Sequence, residues 1–178
     1  MKKLTVIAAL LAGCASMNDS LTPSLRVEKD SFDGAVVARQ PSVGASAEFA
    51  EARHMLAFDW NQRTPDIVYV TAGALGARAI TGLAFNADGK MIDNLKEASY
   101  VTDRDVTRYG TTAERRFAMA WPDFLALVNA RSVKMRVSRI NDYTVSSFGP
   151  DHGGAIVNTK LLPFAEKVRE LRAAVGRQ

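Results

Sequence analysis

The chain has 178 residues, of which 47% are hydrophobic and 24% are charged, and it contains one cysteine. These values are close to those of an average globular protein, so they exclude disorder, collagen and coiled coil as descriptions of the whole chain. One cysteine excludes a disulfide scaffold, and the length fits one domain better than two.

The first residues have the layout of an export signal. Lys2 and Lys3 supply a basic start, Leu4 to Leu11 form an apolar run, and small residues follow. This run is too short to span a bilayer, since a spanning helix needs about 20 apolar residues. We therefore predict that residues 1–13 are a signal peptide that takes no part in the fold.

The motif Leu11-Ala12-Gly13-Cys14 resembles the lipobox of bacterial lipoproteins. The resemblance implies cleavage before Cys14, a diacylglycerol on its sulfur and a further acyl chain on the new amino group. Two or more acyl chains hold a protein firmly at a membrane, whereas one chain holds it only marginally. The alternative is an ordinary secretory signal followed by an accidental cysteine.

The residues after Cys14 bear on the destination of such a lipoprotein. An Asp at that position commonly retains these proteins in the inner membrane, whereas this chain has Ala15 and Ser16. The resemblance therefore implies the outer membrane, with the body facing the periplasm. Residues 14–24 have a linker composition, rich in Ser, Asn, Thr and Pro, and a single globular domain is predicted over 25–178.

The charge of the mature chain is small. Removal of residues 1–13 takes away Lys2 and Lys3, so Lys plus Arg falls from 23 to 21 against 19 acids, and the formal charge falls from +4 to +2. Nucleic-acid binding needs a concentrated basic surface, so nucleic acid is not a predicted partner.

From Leu25 to about Gly110 the sequence predicts successive strands. Two period-two patterns, from His54 to Trp60 and from Ile67 to Thr71, are typical of half-buried strands. Clusters of turn-forming residues separate the strands: Asp33-Gly34, Thr64-Pro65-Asp66, Gly73 to Gly76, and Asn86 to Gly89, which predicts a hairpin before a strand over Lys90 to Leu95. Ala45 to Ala52 is ambiguous between helix and loop.

The later part mixes strands and helices. Arg115 to Trp121 is predicted to be a strand, and Pro122 opens a short helix through Ala130. Val133, Met135 and Val137 alternate with polar residues, and Asn141-Asp142 separates this run from a strand over Tyr143 to Phe148, which predicts a hairpin. Leu162-Pro163 is predicted to open a C-terminal amphipathic helix that Gly176 ends.

These elements predict an α+β fold, mainly an antiparallel sheet with a short mid-chain helix and a C-terminal amphipathic helix packed on it. The alternative is a β-sandwich with a trailing helix. The segments RRFAMAWPDFLALVNARSVKMRVSR and LLPFAEKV loosely resemble uncharacterised exported bacterial α+β proteins, a resemblance that implies no activity.

The usual catalytic and metal-binding patterns are absent from the sequence. His54 and His152 are the only histidines and are far apart, and there is no H-E-x-x-H, G-x-S-x-G or S-x-x-K. The turn at Asn86 to Gly89 lacks the carboxylate that a calcium loop needs at its last position, where Leu95 stands. We predict no cofactor and no metal, and we expect His54 to be a hydrogen-bonded core or sheet-face residue.

One loop contains a possible proton-transfer pair. Asp151 and His152 lie among Gly and Pro residues between Phe148 and Gly154, and an exposed imidazole there would titrate near neutral pH. The alternative is a plain connector, because turns are rich in Gly, Pro and Asp for backbone reasons alone.

A group of basic residues is the second candidate site. Its members, proposed to bind lipid phosphate, lipopolysaccharide or another anionic ligand, are Arg115, Arg116, Arg131, Lys134, Arg136 and Arg139. Lys134 and Arg136 must share one face of a strand, opposite Val133 and Met135. The alternative is an ordinary solvated sheet face, and Trp60 and Trp121 are expected to pack in the core rather than on sugars.

Together these patterns predict a non-enzymatic binding or assembly module, tethered to the membrane through Cys14 and able to bind an envelope protein partner. Two alternatives remain open from the sequence. One is a carrier that encloses a small ligand, and the other is a hydrolase that acts on a cell-wall or lipid substrate through the Asp151-His152 loop.

Overall fold

The computed structural model describes residues 23–47, 51–76, 78–99, 103–107, 110–152 and 156–175. The predicted signal peptide, Cys14 and most of the predicted linker lie outside these residues, as do Gly153 and Gly154. The described elements, in chain order, are β1 (Arg26–Lys29), β2 (Val36–Gly44), β3 (His54–Asn61), β4 (Ile67–Leu75), β5 (Ile80–Ala87), β6 (Lys90–Ile92), β7 (Lys96–Glu97), β8 (Asp103–Thr107), β9 (Gly110–Ala120), α1 (Trp121–Asn129), β10 (Val133–Arg139), β11 (Tyr143–Phe148), a short 3₁₀ helix (Pro150–His152) and α2 (Ile156–Val175).

The larger sheet is antiparallel and follows the order β1-β2-β3-β4-β9, with β7 and β8 both paired to the far side of β9. Side chains of β3 alternate as predicted, with His54, Leu56, Phe58 and Trp60 buried and their neighbours partly exposed. The same alternation on β4 buries Val68, Val70 and Ala72, which lie opposite them. This sheet therefore has an apolar inner face and a polar outer face.

The smaller sheet is also antiparallel and follows the order β11-β10-β5-β6. Its two hairpins are those predicted from the sequence. The β5–β6 turn consists of Asp88 and Gly89, both with positive φ, 50° and 93°, as a two-residue type I′ turn requires. The strand after this turn is shorter than predicted and ends at Ile92.

The two helices differ in how well the sequence predicted them. Helix α1 lies within one residue of the predicted bounds and has Pro at its start. The predicted start of α2 at Leu162-Pro163 is wrong, because the helix begins at Ile156 and contains Pro163 in its interior. Pro163 lies on the exposed side, where a carbonyl that loses its helical partner can accept a hydrogen bond from water.

One hydrophobic core contains residues of both sheets and both helices. Phe58 of β3, Phe124 of α1 and Phe164 of α2 meet in it, with ring centroids 5.5 to 6.0 Å apart. Helix α2 packs mainly against β2. The fold is thus α+β, as predicted, with mostly antiparallel sheet, a mid-chain helix and a C-terminal helix packed on the sheet.

The predicted turn over Gly73 to Gly76 is wrong for its first residues, because β4 continues through Leu75. Gly73 lies inside the strand, and a Cβ there would stand 3.3 Å from Cε of Met55. The glycine therefore leaves room for the side chains that cross it. Neither described helix has the length and apolar character that a membrane span requires.

Candidate functional site

The loop that contains Asp151 and His152 joins three segments of the chain. The Asp151 carboxylate accepts hydrogen bonds from the Arg131 guanidinium, at 3.1 Å from Nε and 2.8 Å from Nη2, rather than from His152. Nε2 of His152 lies 2.8 Å from Oγ of Ser132. The adjacent Asp151 and His152 therefore have different hydrogen-bond partners.

Asp88 connects the same loop to the β5–β6 hairpin. Its carboxylate accepts the backbone N–H groups of Arg131 and Ser132, at 2.9 and 2.8 Å, and these bonds lower the pKa of Asp88. Gly149, with φ of 123°, packs so closely on Arg131 that a Cβ would collide with the Arg131 carbonyl. These contacts explain the breaker residues of the loop as parts of a structural junction.

The Ser132–His152 contact has the distance of a nucleophile and its base. Such a pair also needs a group that orients the base and donors for an oxyanion. Among the described residues, no carboxylate is hydrogen-bonded to Nδ1 of His152. The hydrogen bond between Ser132 and His152 is therefore interpreted as part of the structural junction between this loop and the β5–β6 hairpin.

His54 lies between the two sheets, as expected for a hydrogen-bonded sheet-face residue. Its Nδ1 is 2.8 Å from Oγ of Ser146 and its Nε2 is 2.8 Å from Oγ1 of Thr144, both on β11. The residue is only 2% exposed, and burial, with a smaller contribution from Arg139, lowers its pKa to about 4. His54 is therefore neutral at pH 7 and bridges the sheets through two hydroxyl groups.

The predicted basic group is divided among several places, and Arg115 and Arg116 show why. They are neighbours on β9, so their side chains point to opposite faces of the larger sheet. Arg115 is on the inner side and donates to the carbonyl of Ile80 and to the carboxylate of Glu97, at 2.7 and 2.6 Å. Arg116 is on the outer face.

The other basic residues lie at the smaller sheet. Lys134 and Arg136 are exposed on its outer face, and Val133 and Met135 are buried on the inner face, as predicted. Arg139 is only 14% exposed and lies 3.8 Å from Asp142. The six residues thus form no single anionic-ligand site.

The outer face of the larger sheet contains an open cleft of about 640 Å³. Its floor is formed by neighbouring strands, because Arg39 lies opposite Asp59 and Asp59 lies opposite Tyr69 in the register of β2, β3 and β4. The polar residues at its centre are Arg39, Asp59, Asn61, Thr64, Tyr69 and Arg116. Asp30 and Arg63 also line it, and Arg63 is ion-paired with Asp33.

Asp59 is the partly buried centre of this cleft. Its carboxylate lies 3.3 Å from Nη2 of Arg116 and 3.8 Å from Nε of Arg39. Burial raises the pKa of Asp59, while the two guanidinium groups act in the opposite direction. The Arg116 guanidinium also lies 4.3 Å from the centroid of the Tyr69 ring, which holds it by a cation–π contact.

Two polar atoms of the cleft lining, Oγ1 of Thr64 and Nε of Arg116, are buried without a hydrogen-bond partner among the described residues. Nε of Arg115, on the inner side of the same sheet, is a third such atom. Buried polar atoms are nearly always paired, so unpaired ones mark places where a ligand, water or an ion completes the structure. No three described His, Cys, Asp or Glu side chains converge as a metal site would require.

Sequence reasoning found only Arg116 of the residues at the centre of this cleft. Asp59 and Tyr69 stand in period-two patterns, which predicted that each belongs to a half-buried strand but not that the two meet in a cleft. Trp60 and Trp121 are buried, as expected, and do not face the cleft. Comparison of this chain with known protein families and with curated proteins finds no match.

Proposed function

We propose that this protein is a non-enzymatic binding module of the bacterial cell envelope, tethered at the outer membrane through a lipid on Cys14. Its ligand site is the cleft on the outer face of the larger sheet, and its ligand is polyhydroxylated, as the glycans of the envelope are. The observation that carries the proposal is the partly buried Asp59, with two guanidinium groups around it, in an open polar cleft.

The chemistry of the lining supports a ligand with many hydroxyl groups. Asp30 and Asp59 offer acceptors, the three arginines offer donors, and Asn61 and Thr64 offer both. A hydroxyl group donates and accepts, so a sugar can use all of these partners, whereas an acyl chain can use none. Polar groups at fixed positions in a cleft are what orients a small ligand.

The charge of the cleft is nearly balanced. Arg39, Arg63 and Arg116 are cationic, and Asp30 and Asp59 are anionic. Two further carboxylates, those of Glu28 and Asp33, are ion-paired with Arg39 and Arg63. This balance favours a neutral or weakly charged ligand over a highly anionic one.

The proposed ligand class is tested by calorimetric titration of the lipidated protein, in detergent, with the disaccharide of N-acetylglucosamine and N-acetylmuramic acid and with lipopolysaccharide core oligosaccharides. Asp59→Asn keeps the shape of the side chain but removes its charge. We expect this change to weaken binding by roughly tenfold or more, because a charge-assisted hydrogen bond is lost.

The matched control is Asp123→Asn, which removes the same charge from α1, where Asp123 is ion-paired with Lys90. We expect this variant to bind as the wild type does. An absence of binding to every oligosaccharide, or equal losses in the two variants, would overturn the glycan proposal.

The tether is tested separately by mass spectrometry of the N-terminal peptide from envelope fractions. We expect a diacylglycerol-modified Cys14 at the new N-terminus, and a Cys14→Ser variant that is lost from the outer-membrane fraction. An unmodified Cys14 in the wild type would contradict the tether and leave the cleft experiment unaffected.

The alternatives receive less support from the structure. A carrier would need a large enclosed apolar cavity, whereas the mostly apolar pocket of about 530 Å³ beside His54, Met55 and Leu75 is open to solvent. A hydrolase at the His152 loop would need Asp151 or another carboxylate beside His152, and Asp151 is bound to Arg131.

A further inference from the structure

The outer face of the smaller sheet combines cationic and apolar side chains. In the register of β10 and β11, Arg136 lies opposite Val145, and Ser138 lies opposite Tyr143. Tyr143 is 64% exposed, Val145 is 40% exposed, and Ile140, the first residue of the turn between these strands, is 77% exposed. We call Lys134, Arg136, Ile140, Tyr143 and Val145 the hairpin face.

The hairpin face has an excess of positive charge. Lys134 and Arg136 have no ion-pair partner within the part of the chain that the structure describes, and Arg136 lies 6.0 Å from the ring centroid of Tyr143. The nearest acid of the hairpin, Asp142, is ion-paired with Arg78 and Arg139. The outward positions of β5, β6, β10 and β11 carry no carboxylate.

Phe32 provides an internal contrast. It is 94% exposed, more than any residue of the hairpin face, but it lies in the turn between Asp30 and Asp33. Phe32 lies beside acids, whereas exposed Tyr143 lies on the same sheet face as Lys134 and Arg136, cations of the kind that attract an anionic surface. The positions of Phe32 and Tyr143 are therefore both exposed, but only that of Tyr143 has an excess of positive charge beside it.

We propose that the hairpin face rests on an anionic lipid bilayer. Tyr at the level of the headgroups, aliphatic side chains just below it and Arg or Lys beside the lipid phosphates are the arrangement by which proteins lie on such surfaces. The inference rests on the proposed tether, which keeps the body close to the bilayer, so a weak contact suffices.

An added strand from a protein partner is a poorer fit to the same surface. Strand β11 lies at the edge of the smaller sheet, but the backbone of Ser147 already has partners there. Its carbonyl accepts the N–H of Ala47, and its N–H donates to the Glu51 carboxylate. An extended peptide could therefore not pair along the whole strand. Contact with a lipid surface involves only the side chains that face outward and no backbone pairing.

The experiment uses the full lipidated protein in vesicles of phosphatidylcholine brominated in the acyl chains, with or without phosphatidylglycerol. Tyr143→Trp and Phe32→Trp place a fluorescent reporter at the two positions. Trp60 and Trp121 are buried and give a constant background that also reports the fold. We expect bromine to quench the reporter at 143 roughly twofold or more over that at 32, and only with phosphatidylglycerol present.

The charge requirement is tested by adding Lys134→Ser and Arg136→Ser to the Tyr143→Trp variant. The matched control adds Arg26→Ser and Lys29→Ser, which remove the same charge from exposed positions of β1. We expect quenching to disappear in the first combination and to persist in the second.

Equal quenching at positions 143 and 32, no quenching at 143, or equal effects of the two charge combinations would overturn the inference. The mass of the Cys14 peptide from the same sample reports the tether independently, so a failure of the tether is distinguished from a failure of the hairpin face.

Discussion

Strand β3 places His54 between the two sheets and Asp59, on its opposite face, in the cleft. Both ring nitrogens of His54 have hydroxyl partners, and the residue is only 2% exposed. Asp59 lies between two guanidinium groups in an open cleft, beside buried polar atoms that have no hydrogen-bond partner among the described residues. A polar side chain enclosed by its partners stabilises the fold, whereas one beside unused hydrogen-bonding capacity is available to a ligand.

The contrast predicts first that the inner face of β3 determines stability. Phe58 lies on this face, fully buried against the rings of Phe124 and Phe164. Phe58→Ala removes a ring from a packed core and is expected to lower the free energy of unfolding by about 3–5 kcal/mol. Urea denaturation measures this, and a loss below about 1 kcal/mol would contradict the packing described.

The second prediction concerns the pH dependence that His54 imposes. The pKa of His54 is about 4 in the folded protein, against an ordinary value of 6.5. Between these values the unfolded chain binds a proton that the folded protein does not, so stability falls as the pH decreases from 6.5 towards 4. The free energy of unfolding should therefore fall by about 2 kcal/mol between pH 7 and pH 5.

His54→Gln is the matching variant, since an amide keeps donors and acceptors without titrating. We expect it to be less stable than the wild type at pH 7 but to lose only a few tenths of a kcal/mol between the same two pH values. An equally steep loss in the variant would show that another group causes the pH dependence.

The smallest expected effect is that of Asp59→Asn on stability. Because burial raises the pKa of Asp59, its ionised form is costly to bury, and removal of the charge offsets the loss of its partly exposed ion pairs. We expect the free energy of unfolding to change by less than about 1 kcal/mol while glycan binding weakens by roughly tenfold or more. A much larger loss of stability would show that Asp59, like His54, stabilises the fold.

Local patterns predicted much of the fold. Strict alternation from His54 to Trp60 identified a strand and its buried side, and the Asp88-Gly89 pair identified a hairpin. Such signals depend on residues that are close in sequence. The start of α2 was missed because Pro163 is a typical first-turn residue, and only the exposed position of this proline explains why the helix tolerates it.

The candidate site depended on information that local patterns do not contain. Arg39, Asp59, Tyr69 and Arg116 come together only because β2, β3, β4 and β9 are neighbours in a particular register. A shift of one residue in any pair would move a side chain to the other face. The same argument explains why the adjacent Arg115 and Arg116 could not form one basic site.

Strand β1, at one end of the larger sheet, has a consequence for solubility. It is short and exposed at every position, and three of its four residues are charged. Short, charged end strands discourage pairing with the strands of other chains, which is the first step of β-aggregation. By this means β1 protects the larger sheet from extension by the strands of other, partly unfolded chains.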